Sequence, residues 1–354
     1  NVSRRNRQAR LSDHSGAPDG GGNRPYWGES NNRHTLRVHR PTDTVLTMSL
    51  APKARTEWEL APPLSTRLKG MFGSTYKAAK RDIVLAVSIM VLLVGLFLAI
   101  FGPSLARTDY ERTDPINRMQ APSTDHWFGT DNWGRDVFDR TIVGTRLSFL
   151  VGFSVTLIST VIGVGVALVI SYFKLLDSIM MRFVDGLLAF PTILLALALI
   201  SLIGPSVGNV IIALSLTATA GKIRLVRGAV LSLRDSTYVD AARAVGVPVP
   251  RILLLHLLPN ITSIIIVQAT FTLASAILAE ASLSFLGAGV PEYVASWGNI
   301  IATGQGYIQV GFHISFFPGL FLMTTVLAVV LIGDSVRDHL DPKLRGRLKT
   351  TAQQ

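Results

Sequence analysis

The feature that most constrains this chain is a set of long apolar segments without a single charged residue. Ile83 to Leu105 is one such run of 23 residues, and Leu147 to Phe173 is a second. A helix rises 1.5 Å per residue, so about 20 apolar residues cross the roughly 30 Å hydrocarbon core of a bilayer. The runs therefore predict an all-α, polytopic membrane protein and exclude a string of soluble domains.

A third run, residues 186–221, is too long for one span and contains a turn signal. Residues 204–209 read Gly-Pro-Ser-Val-Gly-Asn, and such a sequence favours a turn over a continuous helix. Two spans joined by a short loop are expected here. The whole pattern predicts six transmembrane helices within a membrane domain at residues 81–341, at about 83–105, 147–173, 182–203, 207–222, 256–280 and 314–334.

Basic residues are unevenly distributed between the loops. The first 80 residues hold fourteen Lys and Arg against six Asp and Glu, whereas residues 284–313 hold no Lys or Arg. The predicted outer loop, 106–142, holds five basic and seven acidic residues. Positive charge accumulates on the cytoplasmic side of membrane proteins. Both termini are therefore expected in the cytoplasm. The positive-inside pattern also accounts for the net charge of +11, so no nucleic-acid partner is expected.

The two ends of the chain have the composition of tails. Residues 1–80 are rich in Arg, Gly, Ser and Pro, which predicts a disordered, basic cytoplasmic tail. Residues 342–354 are expected to form a second, short basic cytoplasmic tail. No apolar signal-peptide core lies near the N-terminus, so the first apolar run should stay in the membrane. Because the chain has no Cys, disulfides and cysteine metal sites are excluded.

A polar segment between two apolar runs has helix signals of its own. Thr237 to Asp240 fits a capping box, in which Thr caps the helix and Asp reaches back to the free amide. Gly246 is placed to end the helix in a left-handed conformation, and Pro248 and Pro250 are not expected to continue it. The segment predicts a short cytoplasmic helix at 237–246, with small side chains and one acid. It serves either as a connector or as a docking surface.

The same segment carries a motif. Asp240-Ala241-Ala242, then Gly246, then Leu258-Pro259, is similar to the EAA coupling motif of binding-protein-dependent ABC importer permeases, with Asp240 where Glu is usual. The resemblance implies that the helix docks into a cytoplasmic ATPase subunit. The residues it assigns to coupling are Asp240, Ala241, Ala242, Gly246, Arg251, His256 and Pro259.

Further segments resemble the "C" permease of dipeptide, oligopeptide and nickel ABC importers. They are residues 126–148, 283–301, 316–319 and 333–347. The resemblance implies a type I ABC importer permease (MetI-like) fold in the bacterial inner membrane. It implies as partners a second permease, two ATP-binding subunits, an extracytoplasmic solute-binding protein, membrane lipid and a peptide substrate. ATP and Mg²⁺ are expected in the partner subunits, and no cofactor in this chain.

Several polar residues inside the runs have two interpretations. Glu280 is a candidate for the solute path, because ionisable residues in membrane helices are usually functional. The alternative is that Glu280 has no such role and lies at the outer end of its helix, where water reaches it. Gln268 is also a pathway candidate, although it, Thr270 and Thr272 are more typical of hydrogen bonds between helices. His256 is either a proton relay or a residue packed against the short helix.

Two acids in the outer loop suggest a metal site at first sight. Asp131 and Asp136 are five residues apart, but Gly134 and Arg135 between them favour a folded loop held by local salt bridges.

Other functions make different predictions. No phosphate-binding loop, HExxH or GxSxG motif occurs, so an enzyme is not expected. An intramembrane enzyme using His256 and Glu280 requires both groups at one membrane depth. An ion channel would conduct without nucleotide. A permease for nickel or another small solute would share the motifs described above.

Overall fold

The computed structural model describes residues 83–107 and 110–340 of the chain, and the predicted tails lie outside these residues. Within them the chain is helical apart from its loops, and the only β pairing is an isolated bridge between Thr130 and Asp136. The all-α prediction is confirmed. The helices are α1 (Ile83–Leu105), α2 (Val137–Tyr172), α3 (Lys174–Leu188), α4 (Thr192–Ile203), α5 (Val207–Arg234), α6 (Thr237–Ala244), α7 (Val249–Phe285), α8 (Trp297–Gln305) and α9 (Phe312–Leu340).

Five of these helices, α1, α2, α5, α7 and α9, are long and apolar enough to cross a bilayer. Helix α1 has the bounds of the first predicted span. Helix α2 begins ten residues before the predicted 147, inside the predicted outer loop, because Asp136 caps it by accepting a hydrogen bond from the backbone N–H of Asp139 at 3.0 Å. Charge-free runs therefore mark the apolar part of each helix and miss its polar extensions.

The prediction of a single third span at 182–203 is wrong. The chain forms two helices there, α3 and α4, bent by 90° across residues 189–191. Pro191 stands immediately before α4, where its ring and missing N–H prevent a continuous helix. Asp177 of α3 pairs with Arg227 of α5, and one of the two bonds is 2.6 Å long. The polar side of α3 is thus tied to α5.

Helices α2 and α5 run parallel to each other. Near their C-terminal ends, Arg234 donates to the carbonyl oxygen of Ser171 at 2.8 Å, and further back Lys222 donates to Ser159 at 2.9 Å. The chain between two parallel neighbours must return from one end of the bundle to the other. Helices α3 and α4 make this return, so the described residues contain five single-helix spans and a sixth if the bent pair is counted as one span.

The apolar core has separate clusters towards the two ends of the bundle. The cluster beside α6 contains Val239 of that helix together with Val226, Val230, Ile252 and Leu257. Towards the other end, Trp297 of α8 is fully buried and donates its indole N–H to the carbonyl oxygen of Thr141 in α2 at 3.0 Å. Helix α8 is therefore held against α2 by both an apolar contact and a hydrogen bond.

Candidate functional site: a surface helix joined to two long spans

The first turn of α6 differs from the predicted capping box, and that prediction is wrong. The residue at the N-cap is Ser236, and its hydroxyl donates back to the carbonyl oxygen of Leu233 at 2.5 Å. Asp240 accepts a hydrogen bond from Arg243, one turn later, at 3.0 Å. Ser236 bonds to Leu233 because α5 ends directly before α6. Asp240 bonds to Arg243, which lies on the same face of α6, and not to the free backbone amide at the start of the helix.

The end of α6 follows the sequence prediction. Gly246 has a φ of +82°, in the left-handed region that glycine adopts without steric cost. Its N–H donates to the carbonyl oxygen of Arg243 at 2.9 Å, and the N–H of Val247 donates to Ala242 at 3.0 Å. Pro248 and Pro250 do not extend α6. They begin α7 instead, as the N-cap and first-turn residues, where a missing N–H costs nothing.

Helix α6 is attached to the core by one side chain. Val239 is 0% exposed, whereas Asp240, Ala241 and Ala244 are exposed. The free face therefore combines small side chains, which allow another backbone to approach closely, with a carboxylate whose side chain is 62% exposed. Such a face suits a docking surface better than the interior of a bundle.

Polar contacts connect α6 to α7 and α2. Asn260 of α7 donates to the hydroxyl of Tyr238 at 3.3 Å and to the carbonyl oxygen of His256 at 2.7 Å. On the other side, the guanidinium of Arg243 lies 5.7 Å from the ring centre of Tyr172 at the end of α2. These contacts fix α6 relative to two of the long spans.

The remaining predicted coupling residues lie at the start of α7. Residues Ile252–Leu257 form a π-helical segment, and His256 in it is half-buried with Nδ1 3.4 Å from the carbonyl oxygen of Arg251. Arg251 is exposed and Pro259 is buried. The structure thus places all seven predicted residues on α6, the first turns of α7 and the link between them.

Glu280, far along α7, is not reached by water, and that expectation is wrong. Its side chain is 0% exposed and accepts hydrogen bonds from Ser284 at 2.9 Å and from Ser148 of α2 at 3.4 Å. Helix α8 lies so close that a Cβ on Gly298 would be 2.7 Å from the backbone of Ala281. Because α8 covers this position, the side chain of Glu280 is enclosed where α7 meets α2.

His256 and Glu280 do not form a pair. They are separated by more than six turns of α7, about 35 Å at the helical rise. An intramembrane enzyme that uses these two groups together is therefore excluded by the geometry.

The threonine hydroxyls in the middle of α7 form hydrogen bonds within their own helix. The hydroxyls of Thr270 and Thr272 donate to the carbonyl oxygens of Val267 and Gln268, at 2.7 and 2.8 Å. This bonding within the helix is common for threonine, and it corrects the expectation of hydrogen bonds between helices. Gln268 itself is half-buried.

The loop before α2 is folded by local ion pairs, as predicted. Asp131 binds Arg135 at 2.7 Å and also accepts from the backbone N–H of Trp133 at 2.8 Å. Asp136 lies 2.8 Å from Nδ1 of His126. Within residues 83–107 and 110–340, no three His, Asp or Glu side chains are grouped so as to hold a metal.

The burial of two basic side chains was not predicted from the sequence. Lys222 and Arg140 are 2% and 1% exposed. Lys222 directly follows a charge-free run, so its position suggested the beginning of a loop. The only signal for its burial is the row of hydroxyl residues on α2 that it contacts, and this row is recognisable only once the helices are paired.

Comparison with known proteins covers about three quarters of the chain. Residues 159–346 match the family model described as binding-protein-dependent transport system inner membrane component. The chain is 40% identical over 271 residues to the dipeptide transport system permease protein DppC of Alkalihalophilus pseudofirmus, which covers 76% of this chain and 89% of that protein. It is 39% identical over 261 residues to the oligopeptide transport system permease protein OppC of Bacillus subtilis, covering 73% and 85%. A solved structure of the inward-facing MetNI methionine ABC transporter shares 20% identity with a TM-score of 0.47, over 57% of this chain and 96% of that chain.

The family model and the two relatives confirm the resemblance found in the sequence. Permeases of this family are transport components without catalytic activity, and they act with a partner permease, ATPases and a binding protein. The five apolar spans, the bent pair and the helical fold agree with a multi-pass membrane protein. The chain belongs to the family of binding-protein-dependent transport system inner membrane components, the permeases of ABC importers.

Proposed function

We propose that this chain and a second, homologous permease form the path by which di- and oligopeptides cross the bacterial cell membrane. The peptide substrate is supported by the similarity to the dipeptide and oligopeptide permeases named above. Two cytoplasmic ATP-binding subunits hold ATP and Mg²⁺ and supply the energy. An extracytoplasmic solute-binding protein delivers the peptide, and this chain holds no cofactor.

The orientation follows from charge. Residues 222–251, which include α6, hold six basic and two acidic residues, whereas residues 284–313 at the far end of α7 hold no Lys or Arg. By the positive-inside rule α6 faces the cytoplasm, and the loop between α7 and α8 faces outward. An even number of crossings then places both termini in the cytoplasm.

The observation that carries the coupling role is the exposed face of α6, whose one buried side chain is Val239. This face docks on an ATPase subunit, with Asp240 as the counter-ion for a basic side chain of the partner and Ala241 and Ala242 allowing close approach. Arg251, His256 and Pro259 support it from the start of α7. The ATPase subunits, and not this chain, hydrolyse ATP.

The contacts of α6 indicate how movement reaches the solute path. When the ATPase subunits close, α6 moves and takes with it α2 through Arg243 and Tyr172, and α7 through Asn260. These two helices are joined again towards their other ends by Glu280 and Ser148. They therefore move as one body, which is the rigid-body class of switching transition. Gln268, half-buried on α7, is our candidate for contact with the solute.

The docking role is tested by co-purification. We expect Asp240→Lys and Ala241→Trp each to reduce the ATPase recovered with the membrane-embedded complex at least tenfold, because one reverses the charge and the other blocks close approach. Asp125→Lys makes the same charge change at an exposed position beyond the far end of α2 and should leave recovery unchanged. Normal recovery with both α6 variants would show that the ATPase docks elsewhere.

A further inference from the structure

A cavity of about 610 Å³ lies at the end of the bundle opposite α6. Its wall is built from the loop before α2, the link between α4 and α5, the end of α7, the loop between α7 and α8, and α8 itself. This volume falls within the range of small-molecule sites in proteins. The polar side chains in the wall are Asn132, Ser284, Glu292, Asn299 and Thr303, and Trp133 and Phe285 add aromatic surface.

The hydroxyl and amide hydrogens in this wall are already used elsewhere. Ser284 donates its proton to Glu280 at 2.9 Å, and Thr303 donates to the carbonyl oxygen of Asn299 at 2.9 Å. The side-chain amide of Asn299 donates to the carbonyl oxygens of Pro291 and Val294, at 2.9 and 3.0 Å. What these three side chains have left is the capacity to accept a hydrogen bond.

One further acceptor in the wall has no partner at all. The Oδ1 atom of Asn132 is buried and accepts no hydrogen bond. A buried polar atom without a partner costs roughly 1–3 kcal/mol, so it favours a bound donor. The wall as a whole is therefore rich in acceptors, and its side-chain donors outside the bonds above are the indole N–H of Trp133 and the amide N–H groups of Asn132.

The cavity wall contains one charged side chain, which is acidic. Glu292 is exposed and forms no ion pair with any described residue, and the wall contains no Lys, Arg or His. Trp133 is half-exposed, and the face of an indole ring attracts cations. A single carboxylate is a poor site for a metal ion, which requires several charged oxygen ligands. The wall suits a cationic group that donates several hydrogen bonds.

We propose that this cavity binds the protonated amino terminus of a short peptide, with Glu292 as its counter-ion. An ammonium group has three donors and no acceptor, which is the complement of this wall. Trp133 covers the charge, and Asn132 and Thr303 accept its hydrogen bonds. This assignment rests on the proposed transport of peptides and identifies which end of the substrate the outer face of the permease recognises.

The test compares two peptides that differ only at the amino terminus. The two permeases and their ATPase subunits, in nanodiscs and without the binding protein, are equilibrated with radiolabelled dialanine or N-acetyl-dialanine. We expect dialanine to bind and the acetylated peptide to bind at least tenfold more weakly, because it lacks the charge. Glu292→Gln should weaken dialanine binding about tenfold. The control, Asp125→Asn, removes an exposed acid that is not in the cavity wall and should have no effect.

Each outcome has a consequence. Equal binding of the two peptides, no binding of dialanine, or unchanged binding by Glu292→Gln would overturn the proposal. If Glu292→Gln instead weakens attachment of the binding protein and leaves dialanine affinity unchanged, the cavity is a protein-docking surface. ATP-driven dialanine uptake by wild-type proteoliposomes is measured in parallel. Uptake without the expected binding pattern disproves the cavity assignment alone, whereas absence of uptake counts against peptide transport itself.

Discussion

At the scale of single residues, Lys222 is the most unusual position in the described chain. Its ammonium group reaches from α5 to α2, and the residue is 2% exposed. It donates to Ser159 at 2.9 Å, to Thr160 at 2.5 Å and to the carbonyl oxygen of Thr156 at 3.3 Å. Charges within membrane helices are costly unless polar groups replace water. Here one turn of α2 supplies three oxygen atoms for that purpose.

This arrangement predicts a strong energetic coupling between Lys222 and Ser159. Ser159→Ala removes one of three acceptors from a buried charge, and we expect it to destabilise the protein by about 1–3 kcal/mol. In a Lys222→Met background the same substitution should have little effect, because no ammonium remains to be solvated. Thermal unfolding of the four purified variants in detergent measures the difference.

A matched control is available on α4. The hydroxyl of Ser201 bonds only within its own helix, to the carbonyl oxygen of Leu197. Ser201→Ala should therefore lower the melting temperature less than Ser159→Ala and equally in both backgrounds. Simple additivity of Ser159→Ala and Lys222→Met would refute the coupling.

Residues also show where sequence-based reasoning succeeds. Gly246 and the ion pair between Asp131 and Arg135 were predictable, because each depends on neighbours within a few positions. The burial of Glu280 depends on α8, which joins it from beyond a loop of the chain. The threonine hydroxyls in α7 had two possible partners, and only the packed helices decide between them.

At the scale of elements, the π-helical segment Ile252–Leu257 separates α6 from the body of α7. A π turn inside an α-helix usually reflects one additional residue, and such turns are frequent at functional sites. An α-helix turns by about 100° per residue, so one additional residue sets the direction in which α6 faces. The segment therefore controls how α6 meets Tyr172 and the proposed ATPase.

Deleting Leu254 tests this control. The side chain of Leu254 is exposed, so its loss leaves no void in the core. We expect the deletion to convert the π turn to an α turn, rotate α6 by about 100° and reduce ATP-driven peptide uptake at least tenfold. Proteoliposomes with equal amounts of assembled transporter provide the measurement. Leu254→Ala retains the additional residue and should transport normally, and equal uptake by both variants would rule out a role for the π turn.

Elements were only partly predictable. The bounds of α1 follow from the charge-free run, and the end of α6 follows from Gly246, because both signals act locally. The bend between α3 and α4 has a local signal in Pro191, but its 90° angle depends on ion pairs that α3 makes with α5. Helical extensions such as the first ten residues of α2 were missed, because hydropathy marks the apolar part of a helix and not its caps.

At the scale of the whole molecule, the parallel course of α2 and α5 determines the number of crossings. Because their corresponding ends meet at Ser171 and Arg234, the bent pair α3 and α4 has to bring the chain back. Helix α4 has 12 residues, about 18 Å, so it covers only part of a bilayer. A bent pair that did not cross would place the loop before α2 and the loop after α7 on opposite faces of the membrane.

Thiol labelling of intact cells distinguishes these topologies. The natural chain has no Cys, so single cysteines can be read without background. Ile116 and Tyr293 are 92% and 72% exposed, and they lie before α2 and after α7. We expect Ile116→Cys and Tyr293→Cys both to react with an impermeant maleimide from outside, and Ala241→Cys to react only after permeabilisation. Protection of Ile116→Cys while Tyr293→Cys reacts would mean five crossings.

The slight attachment of α6 has a consequence for how such transporters diversify. Five of its eight residues are exposed, and one is buried. Under the proposed docking role, substitutions at these exposed positions change which ATPase subunit binds, and the membrane-embedded helices keep their packing. Exchanging the ATPase partner of a permease then requires changes in a few surface codons and not the redesign of a whole subunit.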